Sequence, residues 1–279
     1  MCKKQWRREA LSIKIYDPIT EVVTVNEQQA MEKVNKNMKL EIIGFNIESC
    51  IAAQEGGAHR IELCDSPSEG GTTPSYGFIK AARQKLSIDL YIMIRPRGGD
   101  FFYSDDEFEI MKADVELCKQ SGCDGVVFGL LKKDGSVDKK RCEKLVDLAY
   151  PLGVTFHRAF DRVKDPFQAM EDIIEIGCER ILTSGQQPKA IDGVQTIKEL
   201  IARANDRIVI MPGSGVNPEN IISLAENTGA MELHSSASLY TESKMGYTSL
   251  SMNESLRYII VNKDEVKTMV ELLEKLHKP

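Results

Sequence analysis

Arg60-Ile61-Glu62-Leu63-Cys64 is the stretch on which the fold turns. Its aliphatic residues fall at every second position, the period of a strand whose two faces meet different surroundings. If Ile61 and Leu63 face a layer of helices, then Arg60, Glu62 and Cys64 face the opposite side. Seven further short apolar or β-branched runs flank it, at 40–45, 90–95, 125–129, 154–158, 180–183, 208–212 and 231–234. Between them lie amphipathic stretches. Residues 75–86 place Phe78, Ile79, Ala82 and Leu86 on one side, and residues 105–121 do the same with Phe108, Met111, Val115 and Cys118. Spacings of three and four are the helix period. The helix over 138–149 stops before Pro151, and the one over 166–176 starts on Pro166, as helix boundaries should. Further helices are expected over 217–227 and 264–276.

Eight strands alternating with helices over about 240 residues predict an α/β protein, a TIM-like (β/α)8 barrel formed as a single domain over residues 38–279. A doubly wound open sheet competes with it, but such a sheet asks for a GxGxxG loop after its first strand. Here Asn46-Ile47-Glu48 follows instead. Residues 1–37 lie outside the rhythm and read as a weakly structured N-terminal extension, with weak alternation over 12–25. Residues 238–261 are irregular and rich in Ser and Thr.

Composition agrees with a globular chain. Of 279 residues, 42% are hydrophobic and 28% charged, enough to bury a sizeable core, which excludes a disordered, collagenous or disulfide-stapled molecule. No apolar run reaches 18 residues, so no membrane span is expected. With 36 basic against 42 acidic residues the net charge is −6, which argues against a nucleic-acid partner. Lys3, Lys4, Arg7 and Arg8 make the first ten residues basic, but no apolar segment follows. A solvated tail is expected there rather than a secretory signal or presequence. Seven cysteines, an odd number with no CxxC pair, read as reduced thiols in the cytoplasm.

Strand alternation directs Glu41, Glu62, Arg95, His157, Glu232 and His234 into the barrel, most of them near the carboxyl ends of their strands, where barrel enzymes work. A purely structural barrel would hold aliphatic layers there. Buried charges cost several kcal/mol each unless paired, so this set is either a self-satisfied ionic network or a site. As a site, His157 is the candidate acid/base, with Glu62 or Glu41 as its carboxylate partner and Arg158 and Asp161 close by in sequence. Arg95 and Arg97 are candidate anion clamps, since guanidinium forks fit carboxylate and phosphate. Thr183, Ser184 and Gly185 after the sixth strand, and Gly213, Ser214 and Gly215 after the seventh, are candidate anion-binding loops. These residues point to a small anionic ligand bearing phosphate or carboxylate. Cys64, His157 and His234 all reach toward the mouth, and copper accepts thiolate and imidazole, yet no HxxxH or CxxC fixes two ligands together. Cys118, Cys142 and Cys178 read as packing residues.

Six runs in order resemble the copper homeostasis protein family CutC: Gly57-Ala-His-Arg-Ile-Glu-Leu-Cys64, Gly70-Gly-Thr-Thr-Pro-Ser75, Met93-Ile-Arg-Pro-Arg-Gly-Gly-Asp-Phe101, Asp124-Gly-Val-Val-Phe-Gly129, Thr155-Phe-His-Arg-Ala-Phe-Asp161 and Ile181-Leu-Thr-Ser-Gly185. The resemblance spans residues 38 to 237. It implies a TIM-like barrel, a cytoplasmic location, a homo-oligomer and a part in copper handling, with copper as ligand and Cys64 and His234 as metal candidates. It attaches no reaction, so whether the chain is an enzyme rests on the site. The family's first strand often reads Glu-Val-Cys. Here Glu41-Ile42-Ile43 stands in that place, so a copper(I) site built from two cysteines on the first two strands lacks one thiolate. Cys50, seven residues on, is expected on the first helix.

Overall fold

The computed structural model describes residues 38–249 and 251–276, so the expectations for residues 1–37 lie outside it. Eight parallel strands form one sheet: β1 (Lys39–Gly44), β2 (Arg60–Leu63), β3 (Asp89–Met93), β4 (Gly125–Phe128), β5 (Gly153–Phe156), β6 (Arg180–Thr183), β7 (Val209–Pro212) and β8 (Glu232–Ser235). Their order is β7-β6-β5-β4-β3-β2-β1-β8, and β7 lies against β8 to bring the ring nearly closed. Eight helices surround it: α1 (Ile47–Glu55), α2 (Tyr76–Lys85), α3 (Asp105–Gln120), α4 (Lys139–Ala149), α5 (Pro166–Ile176), α6 (Val194–Ala204), α7 (Ile221–Thr228) and α8 (Lys263–Leu276). The expected single-domain (β/α)8 barrel is the fold observed.

Local chemistry starts the helices where they are needed. Asn46 accepts from the Ser49 amide at 2.8 Å ahead of α1. Ser104 and Glu107 form a reciprocal capping box on α3. Asp165 caps α5, whose first residue is Pro166. Each such cap is worth about 1 kcal/mol.

The alternation read from β2 holds round the sheet. Ile42, Ile61, Leu63, Leu90, Ile92, Val126, Phe128, Val154, Phe156 and Ile181 are buried against the helices as one continuous core. The other face holds a small apolar cluster of Cys64, Tyr91, Met93 and Val127, together with most of the buried charge. Tyr91 lies across the barrel interior. A Cβ at Gly125 would come within 2.2 Å of its ring, and one at Gly153 within 2.1 Å of its hydroxyl, so only glycine fits at the feet of β4 and β5.

Several boundaries differ from the sequence reading, for identifiable reasons. β3 ends at Met93 because the Arg95 amide leaves the ladder to donate to Thr73 Oγ1 at 2.9 Å. β5 ends at Phe156 because His157 caps a short 3-10 turn, Arg158–Arg162, by accepting from the Ala159 amide at 3.2 Å. The helix expected from 217 begins at Ile221, after Asn220 Oδ1 has accepted from the Asn217 amide. The irregular segment contains an antiparallel hairpin, β9 (Ser238–Thr241) with β10 (Tyr258–Val261). It is tied to α1: Asn46 Nδ2 donates to the Ile259 carbonyl at 2.8 Å, and the Val261 amide donates to Ser49 Oγ at 3.1 Å.

Candidate functional site at the carboxyl end of the barrel

The polar interior has two levels. The lower is an ionic plug. Arg60, 1% exposed, donates through Nε to Glu41 and through Nη2 to Glu232 at 2.5 Å. Arg180 Nε reaches the same Glu232 oxygen at 2.9 Å, and its Nη1 donates to Thr155 Oγ1 at 3.2 Å. Both guanidinium groups lie over the Tyr91 ring, at 5.0 and 5.3 Å from its centroid. Two arginines and two glutamates thus satisfy one another, which is what burial of charge requires. Arg60 was legible as a polar strand position, whereas Arg180 was not singled out, and the partner of neither follows from spacing.

The upper level opens into a cavity of about 1140 Å³ lined by residues from most of the strand ends. Here the structure pairs the histidines differently from the sequence reading. His157 was expected to work with Glu62 or Glu41. Instead the parallel register of β1 and β8 sets Glu41 opposite His234, and His234 Nδ1 lies 2.7 Å from Glu41 Oε1. Burial would depress the His234 pKa, but the hydrogen bond to Glu41 and the charges of Glu62 and Glu41 raise it overall. Glu41 is held well below the usual carboxylate range: its burial is outweighed by Arg60 and His234.

Glu62 stands on the other side of His234, with Oε2 3.9 Å from Nε2. Burial, reinforced by the nearby Glu41 charge, pushes its pKa up to about 7, against the pull of His234, Cys64 and Arg60. Its Oε2 accepts from Cys64 Sγ at 3.7 Å, while the buried Oε1 has no partner among the described residues. His157 is buried against Phe101, with ring centroids 4.9 Å apart. Burial and the Arg95 charge depress its pKa to about 3. Its Nδ1 accepts from the Ala159 amide, so Nε2 carries the proton, and that buried Nε2 has no partner among the described residues. In this geometry the ring presents Nε2–H as a donor.

Arg95 is 5% exposed and faces no carboxylate among the described residues. Its Nη1 donates to the carbonyls of Glu69 and Gly71 at 2.6 and 2.7 Å, and its Nη2 to that of Gly99 at 2.9 Å. The guanidinium also bonds the Tyr103 hydroxyl. Arg97 does not join it. Its guanidinium, beyond the end of β3, is taken by Glu107 at 2.5 Å, Asp100 at 2.9 Å and the carbonyls of Gly98 and Phe102. The clamp expected of Arg97 is thus spent on its own loop.

The β6 loop is spent in a similar way, on an anion the chain supplies itself. Asp161 accepts from Thr183 Oγ1 at 2.6 Å, from the Ser184 amide and hydroxyl at 3.0 Å and from the Gln186 amide at 3.1 Å. Arg158 Nε completes the shell at 2.8 Å, and its Nη2 donates to Ser184 Oγ. Gly185 packs against the Gly193 backbone, where a Cβ would lie 2.5 Å from the carbonyl. Thr183 and Ser184 therefore hold a carboxylate that the chain supplies itself, while the Gly185 amide donates to Thr183 Oγ1 at 2.9 Å. Asp161 and Arg158 belong to that loop's support.

Gly213 lets β7 approach β6 and β8: a Cβ there would lie 2.5 Å from Leu182 Cδ1 and 3.2 Å from His234 Cβ. Ser214 and Gly215 follow in left-handed conformation and line the cavity. Lys132, Lys133 and Arg162, which the sequence reading passed over, also line it and form no ion pair among the described residues.

The metal candidates Cys64 and His234 both have protein partners. Cys64 is buried, its Sγ donates to Glu62, and burial and that carboxylate push the thiol well above its ordinary range, so it is a thiol and not a thiolate. His234 is engaged by Glu41. Among the described residues no group of three His, Cys, Asp or Glu side chains is placed to hold a metal ion.

Comparison with known proteins returns a consistent picture. The CutC family model matches residues 38–239. A CutC family protein of Chromobacterium violaceum is 53% identical over 208 residues, 75% of this chain and 84% of the relative. The copper homeostasis protein cutC homolog of Homo sapiens is 48% identical over 219 residues, 78% of this chain and 80% of that protein. A crystal structure of a Streptococcus agalactiae CutC superposes with a TM-score of 0.68 at 35% identity, covering 71% of this chain and 98% of that one. A thiamine phosphate pyrophosphorylase of Pyrococcus furiosus, at TM-score 0.54 and 15% identity, shares the fold alone.

Proposed function

The chain belongs to the CutC family, and from that premise we propose that its part in copper homeostasis runs through a small-molecule site at the barrel mouth. The ligand is a small anionic, oxygen-bearing compound. One observation carries this reading: two buried polar atoms, Glu62 Oε1 and His157 Nε2, have no partner among the described residues, and both side chains line one cavity. Orphaned buried polar atoms cost about 1–3 kcal/mol each, a cost that a bound ligand would relieve. The chemistry available is acid–base. Glu62 exchanges a proton near neutral pH, while His157 donates to an oxygen that gains negative charge.

Thermal-shift screening against small carboxylates and phosphate esters tests this. A ligand at a hundred times its Kd stabilises by about 2.7 kcal/mol, or about 5–11 °C in Tm for a domain this size. His157→Phe and Glu62→Gln should fold and lose that shift. Hits whose shifts survive both substitutions would refute the assignment.

Direct copper(I) binding is the second reading, favoured by the nearness of Cys64 and His234 to Glu62. The protonated thiol and the Ile43 substitution weigh against it. Titration of reduced protein with copper(I) against a competing chelator decides: unchanged affinity in Cys64→Ala removes Cys64 as a ligand. The cytoplasmic location expected from the resemblance draws support from six buried free cysteines. The homo-oligomer draws support from Tyr240, Met245, Tyr247 and Met252, all strongly exposed around the hairpin.

A further inference from the structure

The turn after β7 is polarised. All three carbonyls of residues 214–216 are occupied: Ser214 O accepts from the Ala190 amide at 3.0 Å, Gly215 O from Asn220 Nδ2 at 2.8 Å, and Val216 O from Ser235 Oγ at 2.6 Å. Their three amides have no acceptor among the described residues. Ser214 has φ +85° and Gly215 φ +73°, and left-handed turns of this kind are where successive amides converge on an anion. Ser214 is fixed there by its hydroxyl, which donates to the Pro188 carbonyl at 2.8 Å.

Across from it, Ser236 lines the same cavity. Its Oγ accepts from Ser238 Oγ at 3.1 Å, which leaves its own proton to donate. Three amides and a hydroxyl give each of the three terminal oxygens of a phosphate monoester at least one donor. The unpaired cations Lys132, Lys133 and Arg162 give the mouth the sign such a dianion needs. The competing β6 loop is closed to it by Asp161.

A second, independent feature points to the rest of the ligand. His157, 3% exposed, lines the same cavity and has an unpartnered Nε2–H. That is a donor for an uncharged carbonyl or a carboxylate oxygen at the other end of the molecule.

We propose that residues 214–216 and Ser236 seat the phosphate of a small phosphate monoester whose carbonyl or carboxylate oxygen reaches His157. This rests on the small-molecule reading above and narrows it to one substrate class.

The test uses amide NMR of the full chain with inorganic phosphate and, separately, acetate as probes. Phosphate should shift the amides of Ser214, Gly215, Val216 and Ser236 saturably. Ser236→Asp, at an exposed position, should weaken that binding by about tenfold through like-charge repulsion. Lys132→Ala combined with Lys133→Ala should weaken it less, by about threefold, and flatten its salt dependence. Acetate should move the His157 ring signals and leave residues 214–216 in place. Phosphate that moves His157 but not the β7 turn would overturn the phosphate seat and leave the small-molecule site standing. If neither probe moves any cavity signal, both readings fall.

Discussion

Replacing Glu62 with glutamine should stabilise the protein at pH 8 and do little at pH 5. In the folded chain burial and the nearby Glu41 charge raise the Glu62 pKa from 4.5 to about 7. Because the folded value lies above the unfolded one, the native state binds the Glu62 proton more tightly. That contribution to stability is fully present below about pH 4.5 and is lost as pH rises through 7. At about 1.4 kcal/mol for each tenfold change in acidity, ionising Glu62 in the folded state costs about 3 kcal/mol. Glutamine keeps the shape of the protonated acid and cannot ionise. Thermal unfolding of both proteins from pH 5 to 9 should therefore show Tm curves that separate with pH. The gap should open between pH 5 and 7 and level off at about 6–12 °C, using about 2–4 °C per kcal/mol for a domain of this size. A gap of constant size across that range, or a variant less stable at pH 8, would refute the account of Glu62.

Three further outcomes follow from the same geometry. Arg60→Met leaves Glu41 and Glu232 short of a buried counter-charge and should cost about 3–5 kcal/mol, read as a shift in the denaturation midpoint. Asp161→Ala strips the acceptor from Thr183, Ser184 and Gln186. It should cost about 1–3 kcal/mol, and added formate should recover part of the loss; no recovery would contradict the internal-anion reading. The His157 ring should keep its Nε2–H tautomer from pH 5 to 8 in nitrogen NMR, whereas His234, with its raised pKa, should titrate above His157.

The barrel was legible because its strands repeat one rule, aliphatic toward the helices and polar toward the axis, and β2 states that rule in five residues. The inward set of acids, arginines and histidines followed directly. Their partners did not, because partners are fixed by register between strands far apart in sequence: Glu41 meets His234 across 193 positions. Arg97 followed the alternation on paper, but the strand ends at Met93, where the Arg95 amide turns to Thr73. Asp161 stood beside a plausible histidine and proved to serve the next strand's loop. Lys132, Lys133 and Arg162 carry no spacing signal at all, since charge on a loop acquires meaning only when the loop is seen over a cavity.

The plug of Arg60, Arg180, Glu41, Glu232 and Tyr91 has a bearing on traffic. Among the described residues it lies beneath the cavity as a layer of paired charges and an aromatic ring, so a ligand that enters at the upper rim leaves by the same rim. Release then competes with the next arrival. Glu41 belongs to the plug and also meets His234, which ties the charge of the floor to the histidine beside Glu62.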